Sequence, residues 1–228
     1  MSAASARCIR VWDLPTRVFH RLLALAVILL LITGKIGGDA MMWHSRLGYA
    51  VASLLLARIA WGFVGGHWSR FSAFAYSPRT VIGALGRGGG GGDPDFAVGH
   101  SPRGAMSVYA MLAFLVAQAG TGLFSDDQAD FSGPLSIFVS NRMVRLLTRY
   151  HRNVGELVLI ALVLLHVGAI AYYWIREGQN LVRPMWTGDK VVEVDAPPSR
   201  DDVKSRLMAA LLLLVCSAFV AWVASLGG

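Results

Sequence analysis

The chain has 228 residues, 55% hydrophobic and 15% charged, with a formal net charge of +7. A soluble domain holds about 25% charged residues, so this composition, with a mean hydropathy of +0.52, excludes an ordinary soluble fold and points to lipid as solvent. The positive charge lies in the gaps between apolar runs rather than on one soluble face, which excludes a nucleic-acid binder and makes the charge a topology signal.

The polar N-terminus holds Cys8, and Cys216 lies far away in an apolar run, so the two cysteines form neither a metal motif nor a disulfide framework. The first apolar run, 18–36, lacks a small-residue cleavage site and reads as a retained membrane helix. It carries His20 near its start. A short glycine-containing turn leads to a second helix, 42–64, with His44 and Arg46 near its start and Arg58 fourteen residues after His44. A long polar loop follows. It contains His67, a glycine run at 88–92 that reads as a flexible linker, and His100 at its far edge.

The third helix is predicted at 104–123. The next loop carries Asp126, Asp127 and Asp130. Arg142, Arg145, Arg149 and Arg152 then recur at helical spacing among Val144, Leu146, Leu147 and other apolar residues, which predicts an amphipathic helix on the membrane surface. The fourth helix, 154–174, has His151 at its start, Glu156 in its first turn and His166 in its interior. A charged stretch with Pro197-Pro198 separates it from a fifth apolar helix, 207–226. No internal repeat is visible. Trp12, Trp43, Trp61, Trp68 and Trp174 fall near helix ends and read as an interface belt.

Lysines and arginines set the orientation. With the N-terminus inside, the inner segments hold thirteen of them, from Arg7 to Arg206, against four outside: Lys35, Arg142, Arg145 and Arg149. The predicted topology is therefore a multi-pass membrane protein with a cytoplasmic N-terminus.

Four histidines inside or at the start of membrane helices are the central signal, because an ionisable residue there is costly. A single one reads as a satisfied helix–helix hydrogen bond. Four with a consistent depth pattern read differently. His44 and His151 fall near the outer surface, and His20 and His166 near the inner one. His166 lies 15 residues past His151, about 22 Å deeper at 1.5 Å per residue and rotated by about 60°, so both share one broad face. Each layer can clamp one planar iron macrocycle between two imidazoles, and bis-histidine ligation makes an electron carrier rather than a ligand-binding metal.

The expected fold is thus an all-α integral membrane helical bundle, a four-helix di-haem core at 1–190, followed by a charged linker and an extra transmembrane helix at 191–228. The cofactors of such a core are two haems. Haem propionates need cations. Arg58, at the depth of the inner layer, is a candidate, with snorkelling to the interface as the alternative. Arg46 and Arg152 are candidates at the outer layer, Arg152 otherwise meeting lipid head groups. Glu156 could accept a quinol proton or orient a histidine, or simply pair with a nearby arginine such as Arg152.

The sequence also resembles the bacterial cytochrome b561 family, relatives of the cytochrome b subunits of nickel–iron hydrogenases. The resemblance rests on Val11-Trp12-Asp13-Leu14-Pro15-Thr16-Arg17-Val18-Phe19-His20, on Ala60-Trp61-Gly62-Phe63-Val64-Gly65, on Gly99-His100-Ser101-Pro102-Arg103-Gly104-Ala105 and on Asn180-Leu181-Val182-Arg183-Pro184-Met185 with Thr187-Gly188. It covers about 11–190 and implies electron transfer between membrane quinone and a redox partner through two b haems, with His20, His44, His151 and His166 as the ligands. A fifth helix departs from the family's common four and reads as an anchor, a homodimer contact or a docking site. His100 stands at a motif position, either near quinone or propionate or simply at a helix start.

The leading expectation is a quinone-linked carrier that exchanges electrons with a periplasmic cytochrome c, hydrogenase or other dehydrogenase. The outer aspartates could steer such a partner or be solvated turn residues. The competing readings are a superoxide:quinone oxidoreductase, a metal-ion transporter and a cofactor-free anchor. The transporter lacks intramembrane carboxylates in the first three helices, and the anchor leaves the two histidine layers unexplained.

Overall fold

The computed structural model describes residues 6–86, 98–127 and 131–227. Arg87, the glycine run 88–92 and Asp130 lie outside the described residues. The elements are β1 (Arg7–Arg10), α1 (Leu14–Ile36), α2 (Ala40–Val64), α3 (Pro78–Gly86), α4 (Pro102–Leu123), α5 (Asn141–Arg149), α6 (Glu156–Glu177), α7 (Val182–Thr187), β2 (Asp189–Val192) and α8 (Val203–Ser225). A π-helical turn, Tyr150–Gly155, joins α5 to α6. Among the described residues five stretches are long and apolar enough to cross a membrane: α1, α2, α4, the run Asn141–Glu177 and α8. Large apolar side chains such as Leu165 (70% exposed) and Ile175 (78%) lie open to the surroundings, which only lipid tolerates at this density.

The helices begin earlier than hydrophobicity alone suggests, because polar caps start them. The Asp13 carboxylate accepts the Thr16 N–H at 2.8 Å, with Pro15 in the first turn, so α1 starts at Leu14 rather than at 18. Ser101 and Asp202 accept the N–H groups of Gly104 and Ser205 in the same way. They place the starts of α4 and α8 at Pro102 and Val203. Gly37 and Gly38, with φ of +67° and +51°, make the tight turn between α1 and α2.

The chain forms two compact units, and each membrane-length helix contributes residues to both. The first comprises Met1–Val18, Ile59–Ala110 and Leu164–Ala209. Here β1 and β2 pair antiparallel, Arg7 opposite Val192 and Arg10 opposite Asp189. Val11, Trp12, Val98 and Val192 make its apolar core. Asp13, fully buried, accepts hydrogen bonds from Trp61 Nε1, the Gly66 N–H and the Ser69 hydroxyl as well as capping α1. Trp12 and Trp61 are therefore core residues rather than interface-belt residues, since both are buried. Trp43 and Trp174 are exposed, as a belt requires.

The stretch before α8 is fastened in the same unit. Ser199 donates from its N–H to the Arg10 carbonyl and from its hydroxyl to the Val11 carbonyl. Trp68 Nε1 donates to the Pro197 carbonyl. Asp201 bonds Arg10 at 2.5 Å and Arg206 at 3.0 Å, and accepts the Leu14 N–H.

The second unit comprises Phe19–Arg58, Met111–Val163 and Ala210–Gly228. Ala26 and Val27 of α1, Val51 and Leu55 of α2, Leu115 of α4 and Leu159 of α6 form its core. The expected surface helix exists as α5, with Arg142, Arg145 and Arg149 exposed, but it runs without a break into α6. The run Asn141–Glu177 has 37 residues. At about 1.5 Å per residue it far exceeds a hydrocarbon core of about 30 Å, so α5 extends the helix beyond the apolar layer.

Candidate functional site

Within the second unit, His44 on α2 and His151 in the π-helical turn face each other. Their ring centroids are 6.1 Å apart and their planes stand at 89°. Each ring is fixed from behind. His44 Nδ1 lies 3.0 Å from the Leu30 carbonyl, and His151 Nδ1 lies 3.0 Å from the Gln118 carbonyl. A carbonyl only accepts, so each Nδ1 carries the proton and each Nε2 keeps its lone pair for a metal.

The local backbone explains how His151 is presented. A π turn leaves helical carbonyls without their usual partners, and the Gln118 side-chain amide donates to the His151 carbonyl at 2.9 Å. Gln118 and His151 thus hold each other twice, backbone to ring and side chain to backbone. Gly155 closes the turn where a Cβ would meet the Gln118 amide, with Oε1 at 1.9 Å, so glycine there leaves that amide room to reach the His151 carbonyl.

The two histidines line a cavity of about 600 Å³, within the range of sites for cofactor-sized ligands. Val27, Val51, Leu115 and Leu159 supply apolar wall. Lys35, Arg152, Glu156, Asp126 and Asp127 supply the polar part. A metal–imidazole bond is about 2.0–2.1 Å, which puts two axial ring centres about 6.3 Å apart. The observed 6.1 Å matches that requirement, and the donor set of two Nδ1-protonated imidazoles is one that iron accepts on both axial sides. The residues present therefore fit a haem.

The other expected residues are placed as follows. Arg152 lines the cavity, and Glu156 does too, but Glu156 pairs with Lys35 at 2.5 Å rather than with Arg152. Arg46 is not on the cavity wall; its guanidinium lies over the Trp43 ring at 5.2 Å. Arg58 is 5% exposed and lies over the Phe19 ring at 6.0 Å, next to His20 in sequence. His20, half-buried on α1, belongs to the second unit, and His166, half-buried on α6, belongs to the first. His100 lies in the first unit between the rings of Trp12 (4.7 Å) and Phe74 (4.5 Å), immediately before the Ser101 cap of α4.

Sequence reading missed Lys35 as a wall residue and Gln118 as a partner of the histidine. Lys35 stood among loop charges. Gln118 acts half through its backbone, which carries no residue-type signal.

A family model for prokaryotic cytochrome b561 matches residues 11–188. The chain belongs to the prokaryotic cytochrome b561 family. Membership makes this cytochrome b561-family protein a membrane electron-transfer protein, and the family implies haem b as the cofactor. It is similar to a chain of Bradyrhizobium diazoefficiens named "Probable Ni/Fe-hydrogenase B-type cytochrome subunit", at 24% identity over 221 residues, 79% of this chain and 85% of that one. An Azotobacter vinelandii chain of the same name is 23% identical over 233 residues, 82% of this chain and 90% of that one. No solved structure matches.

Proposed function

We propose that this cytochrome carries electrons across the bacterial inner membrane through two bis-histidine b haems, between the quinone pool and a periplasmic redox partner. The observation that carries the reading is the His44–His151 pair, 6.1 Å apart with both Nδ1 atoms tied to helix carbonyls. These two are the ligands of the outer site, and His20 and His166 those of the inner site. The inner pairing rests on their positions on α1 and α6, 15 residues from His151 in the case of His166.

A haem held between His44 and His151 would supply one-electron chemistry. The chain's own residues do the rest. Lys35 and Arg152 offer cations to carboxylates at the cavity wall. Buried Arg58, beside Phe19, offers one at the inner layer. Glu156, held by Lys35, is the carboxylate placed to take a quinol proton. His100, enclosed by two aromatic rings at a helix start, serves the fold.

The excess of arginine and lysine on the segments assigned inside supports a cytoplasmic N-terminus. The relatives' names support a hydrogenase-type dehydrogenase as the partner class.

The test is a reduced-minus-oxidised spectrum of the purified protein with haem quantitation. The expected result is about two low-spin b haems per chain. His44→Ala and His151→Ala should each remove the same haem, and His20→Ala and His166→Ala the other. One haem in the unaltered protein, or a high-spin centre that binds carbon monoxide, overturns the proposal.

A further inference from the structure

The two facing histidines are seated by the same short device on two different helices. On α1 the Leu30 carbonyl receives His44 Nδ1, Thr33 follows three residues on and Gly34 four residues on. On α4 the Gln118 carbonyl receives His151 Nδ1, with Thr121 and Gly122 at the same offsets. The Thr121 hydroxyl donates to that same carbonyl at 3.0 Å, while the Thr33 hydroxyl donates chiefly to the Leu29 carbonyl at 2.7 Å and stands 3.2 Å from that of Leu30; each hydroxyl lies 3.4 Å from the imidazole Nδ1. Each glycine opens the notch the ring occupies. A Cβ on Gly34 would stand 3.1 Å from His44 Cε1, and one on Gly122 would stand 3.0 Å from His151 Cε1. Gly120, two residues earlier on α4, has nothing within 4 Å of such a Cβ.

Offsets of three and four residues put carbonyl, hydroxyl and notch on one helix face. The device therefore fixes a ring in translation through the glycine notch, and in rotation through the Nδ1–H bond. Two copies on separate helices hold the two planes at 89°.

We propose that Thr33-Gly34 and Thr121-Gly122, with the carbonyls of Leu30 and Gln118, are the positioning residues that set the axial imidazoles of the outer haem at right angles. This rests on the bis-histidine reading of that site. Crossed imidazole planes bring two iron d orbitals close in energy, so the ferric centre gives a strongly anisotropic low-spin resonance. A ring free to turn gives a more rhombic one. The device therefore governs the electronic structure of the centre and not only its retention.

The experiment is low-temperature electron paramagnetic resonance of the purified, oxidised cytochrome with haem quantitation. In the unaltered protein the signal assigned to the outer haem, by its loss in His44→Ala, should be strongly anisotropic. Gly34→Ala and Gly122→Ala should each abolish it, with haem content falling by about half, or shift it toward a rhombic line. Gly120→Ala should leave it unchanged. A misfolded glycine variant would lose both haem signals, so Thr121→Val and Thr121→Ser are read beside it. The valine removes only the hydroxyl and should broaden or shift the signal, and the serine should restore it. Unchanged signals in both Gly122→Ala and Thr121→Val overturn the positioning role. Absence of haem in the unaltered protein, or a signal indifferent to His44→Ala, overturns the bis-histidine reading instead.

Discussion

Single residues decide how the polar atoms of this lipid-facing chain are satisfied. Asp201 is the sharpest case outside the membrane. Its side chain is only 6% exposed and meets Arg10, Arg17 and Arg206. Burial pushes its carboxyl up, but hydrogen bonds from Arg206, the Leu14 N–H and Arg10 together hold it below the ordinary carboxylate value. A carboxyl depressed on folding stabilises the fold above its unfolded value, near about 4, and that stabilisation is lost as pH falls through the folded value. Thermal unfolding in detergent followed across pH 3 to 7 (roughly the window spanning the unfolded carboxyl) should show a steeper loss below about pH 4 than Asp201→Asn shows. The variant should be less stable at neutral pH, because two buried or half-buried arginines lose their shared partner. Equal acid sensitivity in both proteins would assign the effect to other groups. Lys35 teaches the complementary lesson. Its charge was visible in the sequence, but its ion pair with Glu156 joins residues 121 positions apart, which no local pattern reports.

At the scale of elements the informative feature is the π turn Tyr150–Gly155. A π turn holds one more residue than the α turn it replaces, and such turns recur at functional sites. It turns His151 toward the Gln118 carbonyl and frees the backbone carbonyl that the Gln118 amide takes up. Deleting Asn153 should convert the turn to regular α-helix, removing the extra residue that turns His151 toward the Gln118 carbonyl. The expected result is loss of the haem that His151→Ala removes, with the other retained, read from haem content and the visible spectrum. Retention of both haems would show that the turn does not aim the ligand.

The helices themselves were legible because about 20 apolar residues are needed to cross the bilayer. The N-terminal caps Asp13, Ser101 and Asp202 account for the earlier starts of α1, α4 and α8. The π turn was not legible, because a periodicity argument assumes 3.6 residues per turn throughout. The repeated Thr-Gly device was hidden for a similar reason. Two residue pairs among many small residues look like chance, and the carbonyls they act on belong to the backbone.

For the whole molecule, the segment that leads to α8 is a fastened part of the first unit. Asp189 pairs with Arg10 across the ribbon, and Ser199 and Asp201 bond the backbone of Arg10, Val11 and Leu14. Two truncations should separate these roles. A chain ending at 202 keeps those bonds and should retain both haems in the membrane fraction. A chain ending at 188 loses β2 and the Asp201 ion pairs, and should show a lower thermal midpoint and less haem. Equal behaviour of the two truncations would mean that β2 and the stretch after it add nothing to the fold.

The sequence by itself determined the solvent, the membrane-length helices, the family and the histidines. These follow from composition, length and residue type, each of which is local information. Tertiary structure alone decided that His44 and His151 stand 6.1 Å apart, that Glu156 meets Lys35 and that Trp12 and Trp61 are buried. Those facts depend on backbone carbonyls and on close approach between distant segments. A side chain's identity says what it can bond, and only the fold brings the partner within reach.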